Sequence, residues 1–336
     1  MENKTPILQV KDLTVDYMLD EKRLRACDNA SIDIYRGEIL GIIGESGSGK
    51  TTFSSGLLRL IRPPGKISSG TAIYHRKDGR TMDLFSLSDR EFNTIRWASI
   101  SSVFQAAQNV LNPSLKVFEH FMETSDAHGE KLSKAQMIEK ASGILSLVRL
   151  EPRVLESYPH QLSGGMKQRV IIAMSLLLTP DIIFLDEPTT ALDVITQWYI
   201  MDILIRIHRE SGVTMVFLTH DLSIVGSIAD RLAVMYAGQF VEIGPTEIIL
   251  ENPTHPYTYG LLNAVPSLRD DLMERKPIPG HPPNLLSLPE GCRFSPRCFA
   301  HIDGKCPGTI EFANDLRPSS SGLFTRCGKW EEVLKK

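Results

Sequence analysis

The run Gly44-Glu45-Ser46-Gly47-Ser48-Gly49-Lys50-Thr51 combines glycines with a lysine and a threonine at the spacing of a phosphate-binding loop. Glycines let backbone amides turn inward around phosphate oxygens, and the helical pattern that follows, through Leu60, presents its positive N-terminal end to them. In that frame Lys50 reaches the β and γ phosphates and the Thr51 hydroxyl ligates Mg2+. The candidate nucleotide contacts are Gly44, Ser46, Gly47, Gly49, Lys50, Thr51 and Thr52. A second constellation, Asp186-Glu187, closes the apolar run "DIIFL". Carboxylates at the end of a buried strand stand where α/β sheets place ligands. They predict divided labour, with Asp186 holding Mg2+ and Glu187 orienting and deprotonating the water that attacks the γ phosphate. Alone, either motif has a plainer reading as a glycine-rich turn or the start of a solvated loop; together they point to hydrolysis of a nucleoside triphosphate.

Cysteine marks a third candidate site. Cys292, Cys298, Cys306 and Cys327 fall in the last fifth of the chain, while Cys27 stands alone near the start. Intervals of five, seven and twenty intervening residues suit a four-thiolate site in a reducing compartment, without tight Cys-x-x-Cys knuckles. Thiolates accept either zinc or an iron-sulfur cluster.

These residues need an α/β core to position them. Strand-like runs at Ile7 to Val15, Ser31 to Tyr35 and Glu38 to Ile43 alternate with helical stretches. Ser88 with Glu91, and Ser133 with Gln136, match capping boxes and predict two helix starts. Proline is dense from Pro253 to Pro307, which opposes long helices and central strands and places a boundary near residue 250. We therefore expect a nucleotide-binding domain over 1–250 and a small Pro/Cys-rich extension over 251–336. Of the 336 residues, 42% are hydrophobic, an ordinary globular fraction, and the longest apolar runs, such as Val170 to Leu178, are far shorter than a bilayer span. The N-terminus lacks a secretory pattern, so the chain is expected to stay in the cytoplasm. A net charge of −3 with interspersed signs gives no basic footprint and argues against nucleic acid as a partner.

The segment "QLSGGMKQR", residues 161–169, resembles the signature of the ABC ATPases, and the resemblance spans the core. It implies a RecA-like core with an antiparallel β subdomain and a helical signature subdomain. Ser163, Gly164 and Gly165 would start a helix whose amides meet the ATP held by an opposite subunit, so the working unit would be a dimer. By the same resemblance Tyr17 stacks on adenine, Gln105 senses Mg2+ and water, Asp193 belongs to the dimer-contact loop and His220 meets the γ phosphate. Family members meet membrane subunits just after Gln105, where "AAQNVLNPS" departs from the commoner Gln-Asp-Pro pattern. ABC ATPases of DNA repair or translation fit less well, because no long coiled coil separates the motifs and only one set is present.

The tail resembles the ATPase subunits of dipeptide, oligopeptide and nickel importers, through "HPYTYGLLNAVPSL", "IPGHPPNLLSLPEGCRFSPRC" and the later cysteine. The resemblance implies ATP-driven peptide import, with nickel or an oligosaccharide as the alternative cargo. It implies a 4Fe-4S cluster on Cys292, Cys298, Cys306 and Cys327, with Cys27 outside the site. It also implies a different partner ATPase, two membrane-spanning permease subunits and an extracytoplasmic binding protein, with this chain peripheral on the cytoplasmic face.

Overall fold

The computed structural model describes residues 5–105, 109–190, 192–264, 278–309, 315–319 and 322–334. The chain begins with strands β1 (Pro6–Leu19), β2 (Lys22–Tyr35) and β3 (Ile39–Ile43), helix α1 (Lys50–Leu57), and strands β4 (Gly65–His75) and β5 (Thr81–Asp83). It continues through α2 (Asp89–Ile95), β6 (Ile100–Val103), α3 (Val117–Ala127), α4 (Lys134–Leu147), α5 (Gly164–Leu176), β7 (Ile182–Asp186), α6 (Val194–Ser211) and β8 (Thr214–Thr219). The remainder forms α7 (Leu222–Val225), β9 (Arg231–Tyr236), β10 (Gln239–Pro245), α8 (Thr246–Glu251), α9 (Pro256–Ala264), α10 (Phe299–Ile302), β11 (Arg317–Pro318), β12 (Phe324–Thr325) and α11 (Trp330–Leu334). These elements gather into two compact units, one of Met1–Ser86 with Leu218–Lys336 and one of Leu87–Phe217.

In the first unit an antiparallel sheet runs in the order β2-β1-β4-β5, and a second sheet carries the order β11-β12-β10-β9-β3. Every residue of β3 is buried, as an apolar run covered on both faces should be, and β3 pairs in parallel with β9 from Leu40↔Arg231 to Ile43↔Val234. Helix α1 is seated by Phe53, whose ring meets Phe240 edge-on at 5.1 Å, and by Gly56, where an added Cβ would lie 3.3 Å from Val15. The proline-rich tail is tied to this frame by β12, which pairs antiparallel with β10 through Glu242↔Thr325 and Ile243↔Phe324. Glu242, fully buried, accepts from the Thr254 hydroxyl at 2.8 Å and the His255 amide at 3.2 Å, and so fixes the entry to α9. Pro256 opens α9, where its missing amide donor costs nothing.

In the second unit β6 and β7 pair in parallel, Ile100↔Ile182 to Val103↔Leu185, and β8 lies beside β7. Both expected capping boxes form: Ser88 accepts from the Glu91 amide ahead of α2, and Ser133 from the Gln136 amide ahead of α4. Met137, Ala141 and Leu145, spaced four apart on α4, are fully buried and give that helix one apolar stripe. The α/β content, the antiparallel sheet and the helical part follow the expectation from sequence. Among the described residues no helix is long and apolar enough to cross a membrane.

Candidate active site

The phosphate loop leaves the carboxyl end of β3 and enters α1. Lys50, 6% exposed, turns its ammonium back under the loop and donates to Gly44 O at 2.7 Å and Glu45 O at 3.1 Å. Two glycines are required by contact with neighbouring chain. At Gly44 an added Cβ would lie 2.2 Å from Met235 O, and at Gly49, with φ of 106°, it would lie 2.5 Å from Ala26 O. The β9–β10 turn braces the loop, since Gly238 N donates to Ser48 O at 2.8 Å and Asp28 N to Gly238 O at 2.8 Å. Ser46, Gly47 and Thr51 are exposed and Thr52 is half-buried, so the loop's outer rim and the amides at the start of α1 face outward. In the same unit Tyr17, on β1, is half-buried and its ring crowds Gly65, whose added Cβ would sit 2.6 Å from Tyr17 Cε1. His220 is exposed at the end of β8, and Asp221 behind it caps α7, accepting from the Ser223 amide at 2.9 Å.

In the second unit β7 ends in Asp186, which is 3% exposed, and the chain then turns through Glu187 with φ of 46°. Glu187 Oε2 accepts from Thr190 Oγ1 at 2.7 Å, and Gln105 Nε2 stands 3.5 Å away, the outer limit of a hydrogen bond. Since β6 and β7 run parallel, Gln105 and the acid pair leave the same edge of their sheet. A carboxylate held from one side by a hydroxyl and faced by an amide can orient a water and accept its proton. The expected membrane-contact segment begins with Ala106 to Gln108, which lie outside the described residues.

The signature forms a helix start as expected. Ser163 caps α5 by accepting from the Met166 amide at 3.2 Å, and Ser163 and Gly164 are exposed. Asp193 caps α6, accepting from the Thr196 amide at 2.9 Å and the Thr196 hydroxyl at 2.6 Å, bonds that hold its carboxyl below the usual range. The two starts interlock: an added Cβ at Gly165 would lie 2.8 Å from Thr196 Cγ2. Beyond Asp193 the first turn of α6 exposes apolar side chains, Val194 at 67%, Ile195 at 82% and Trp198 at 58%.

Cys292, Cys298, Cys306 and Cys327 line one cavity of about 20 Å³ together with Phe294 and His301. All are free thiols, and Cys27 is buried elsewhere, donating weakly to Leu13 O at 3.5 Å. Burial pushes Cys292 up to about 11 and Cys327 up to about 12, and raises Cys298 as well. His301 turns a ring nitrogen to Cys306 O at 2.8 Å. Four sulfurs on one cavity are the donor type of thiophilic metal sites. Among the described residues, however, no group of three or more Cys, His, Asp or Glu side chains is arranged to hold a metal ion.

The fold and the loop chemistry define an ATPase of the cassette type, and sequence comparison gives the same class: the chain belongs to the ABC transporter family, whose model matches residues 27–190. A second family model, "Oligopeptide/dipeptide transporter, C-terminal region", matches residues 241–306. The dipeptide transport ATP-binding protein DppD of Caldanaerobacter subterraneus is 47% identical over 293 residues, covering 87% of this chain and 88% of its own length. The oligopeptide transport ATP-binding protein OppD of Salmonella typhimurium is 40% identical over 333 residues, 98% of this chain and 95% of its own. Among solved structures, a dimeric post-hydrolysis state of the ATP-binding cassette MJ0796 bound to ADP and Pi superposes with a TM-score of 0.62 at 31% identity, over 71% of this chain and 98% of that one. The cbiO1 protein of Clostridium perfringens, part of the cbiONQ ABC transporter complex, gives 0.61 at 28% identity over 74% and 91%. As a member of this family, the chain is an ABC-type ATPase for which ATP and Mg2+ are the expected substrate and cofactor.

Reading the sequence missed Thr190 and Thr196. Each lies three residues after the acid it bonds, an i, i+3 spacing within a turn that could have identified both.

Proposed function

We propose that this chain is the ATP-hydrolysing subunit that energises import of dipeptides or oligopeptides, working at the cytoplasmic face of a membrane. The observation that carries this reading is the match of residues 241–306 to the oligopeptide/dipeptide transporter C-terminal region, joined to an ABC core. The names of the two relatives, at 47% and 40% identity, support it. We read 1–250 as the ATP-binding domain and 251–336 as the extension. A second, different ATPase subunit, two permease subunits and an extracytoplasmic binding protein supply what this chain lacks.

In this reading Tyr17 stacks on adenine. Gly44, Ser46, Gly47, Gly49 and Thr52 present the loop to the phosphates, and Lys50 neutralises the β and γ oxygens. Thr51, Asp186 and Gln105 offer hydroxyl, carboxylate and amide oxygens, a hard donor set that suits Mg2+. Bound there, Mg2+ neutralises charge on the triphosphate. Glu187, held by Thr190, aligns the attacking water and takes its proton, while His220 contacts the γ phosphate. Ser163, Gly164 and Gly165 of this chain's signature, with Asp193 at the contact, complete the ATP site held by the partner subunit across a dimer.

For the cysteines we propose a 4Fe-4S cluster on Cys292, Cys298, Cys306 and Cys327. Their lining of one cavity supports it, and that cavity, at about 20 Å³ room for roughly one water, would have to widen to admit the cluster. Anaerobic purification should give a brown protein with iron and acid-labile sulfide; a stable, colourless, iron-free protein would refute the cluster.

Uptake of labelled dipeptides and oligopeptides by cells lacking this gene tests the transport reading. Restoration by the normal chain but not by Lys50→Ala supports ATP-driven peptide import. Undiminished uptake in cells with no second peptide importer moves the cargo to nickel or an oligosaccharide.

A further inference from the structure

Glu45 is an acid inside a loop that must receive an anion, and the C-terminal segment grips it from two sides. Its amide donates to Tyr257 Oη at 3.0 Å. Its carboxylate accepts a forked pair from Arg297, Nη1 to Oε2 at 2.7 Å and Nη2 to Oε1 at 2.9 Å. Arg297 is 5% exposed against 27% for Glu45, so the pair is largely withdrawn from solvent screening. The guanidinium is itself fixed, with Nε donating to Pro279 O at 2.8 Å and the Tyr236 ring 5.8 Å from its centre. Tyr257 is fully buried, and Phe294 packs edge-on to Tyr236 at 5.2 Å and to Tyr257 at 5.4 Å. Phe294 and Arg297 both lie between Cys292 and Cys298, so the stretch separating two cysteines forms a wall of the phosphate loop.

We infer that Arg297, with Tyr257, is a positioning residue for ATP binding: it neutralises the Glu45 carboxylate and holds the first turn of the loop open to the triphosphate. The inference rests on the reading of Gly44 to Thr52 as the ATP site. Left unpaired, the Glu45 charge repels the incoming phosphates, and the loop loses an anchor next to exposed Ser46 and Gly47. Charge neutralisation predicts effects of opposite sign at the two ends of the pair, which a purely structural contact does not.

The test is titration of the full-length chain with a fluorescent ATP analogue, mant-ATP, and Mg2+. Arg297→Gln is expected to weaken binding about tenfold, Glu45→Gln to tighten it about threefold, and the double variant to return to within about threefold of the normal chain. Loosening by Glu45→Gln, or no rescue of Arg297→Gln by the second substitution, overturns the inference. Where Arg297→Gln does not fold, Glu45→Gln alone decides: tighter binding supports the inference, and equal or weaker binding refutes it. Lys50→Ala is the separate control; if it still binds mant-ATP, the ATP-site reading itself fails.

Discussion

Thr190 Oγ1 donates to Glu187 Oε2 at 2.7 Å, so the acid proposed as general base is held by a hydroxyl one turn downstream, while its backbone takes a left-handed φ of 46°. Position and orientation are thus set within one short loop. Glu187→Gln should lower kcat by about 10²- to 10⁴-fold while ATP still binds. Thr190→Val removes a bond to a charged acceptor and should lower kcat about tenfold with little change in KM. Steady-state ATPase assays separate the two; unchanged hydrolysis by Glu187→Gln would remove the base assignment.

Gly47 and Gly49 both have positive φ, but only Gly49 also meets neighbouring backbone, with an added Cβ 2.5 Å from Ala26 O. Gly49→Ala should therefore destabilise the chain by about 1–3 kcal/mol and weaken nucleotide binding. Gly47→Ala has nothing within 4 Å and should be the milder change. Urea unfolding of both variants checks the order, and equal midpoints would contradict the contact argument.

Asp16, 1% exposed, gives a pH dependence. Burial pushes its carboxyl up, but hydrogen bonds from Ser68 and Arg25, with the charges of Arg25 and Arg23, outweigh this and hold it below the usual range. Its folded pKa is then below its unfolded one, so its contribution is complete above about pH 4 and is lost as pH falls through the folded value. Asp16→Asn should lower stability at pH 7 by about 1–2 kcal/mol and flatten the loss of stability as pH falls below about 4. Urea midpoints across that range measure it; parallel curves for the two proteins would show that Asp16 contributes no slope.

Ile195 and Trp198 expose apolar surface directly after Asp193. If this face meets a partner ATPase, Trp198→Asp should weaken ATP-dependent pairing by about 2 kcal/mol or more, roughly thirtyfold in dissociation constant. Light scattering of Glu187→Gln with bound ATP, mixed with its partner subunit, reports the assembly state. Undiminished pairing by Trp198→Asp would move the contact elsewhere.

Much of this site was readable because its chemistry is local. The loop of Gly44 to Thr51, the acids closing β7 and the Ser163 cap each lie within one continuous segment, and β3 and β7 show their two-sided burial as unbroken apolar runs. Longer-range features were not readable. Strand β1 continues to Leu19, beyond the expected Val15, because its last residues form a half-buried to exposed end and are held by backbone pairing with β2, from Asp16↔Arg25 to Leu19↔Lys22, which leaves no β-rich run in the sequence. Of the first residues of β2, Lys22, Arg23 and Arg25 are charged and only Leu24 is apolar, all exposed or half-buried, so their pairing with β1 left little apolar signal. The grip of Arg297 on Glu45 spans 252 positions, and no local pattern encodes such a pairing. Before the fold is known, Arg297 is only a residue between two cysteines.

The pairing of β12 with β10 also bears on how the chain stays out of trouble while it folds. Until Phe324 and Thr325 have been synthesised, Glu242 and Ile243 of β10 present unpaired backbone donors and acceptors along a sheet margin flanked by Phe240 and Val241. Such a margin is a template for strands of other nascent chains. The two-residue strand β12 and the equally short β11 beyond it cover this margin with a border too brief to template another. Truncation ahead of residue 322 should therefore show first as clumping during expression.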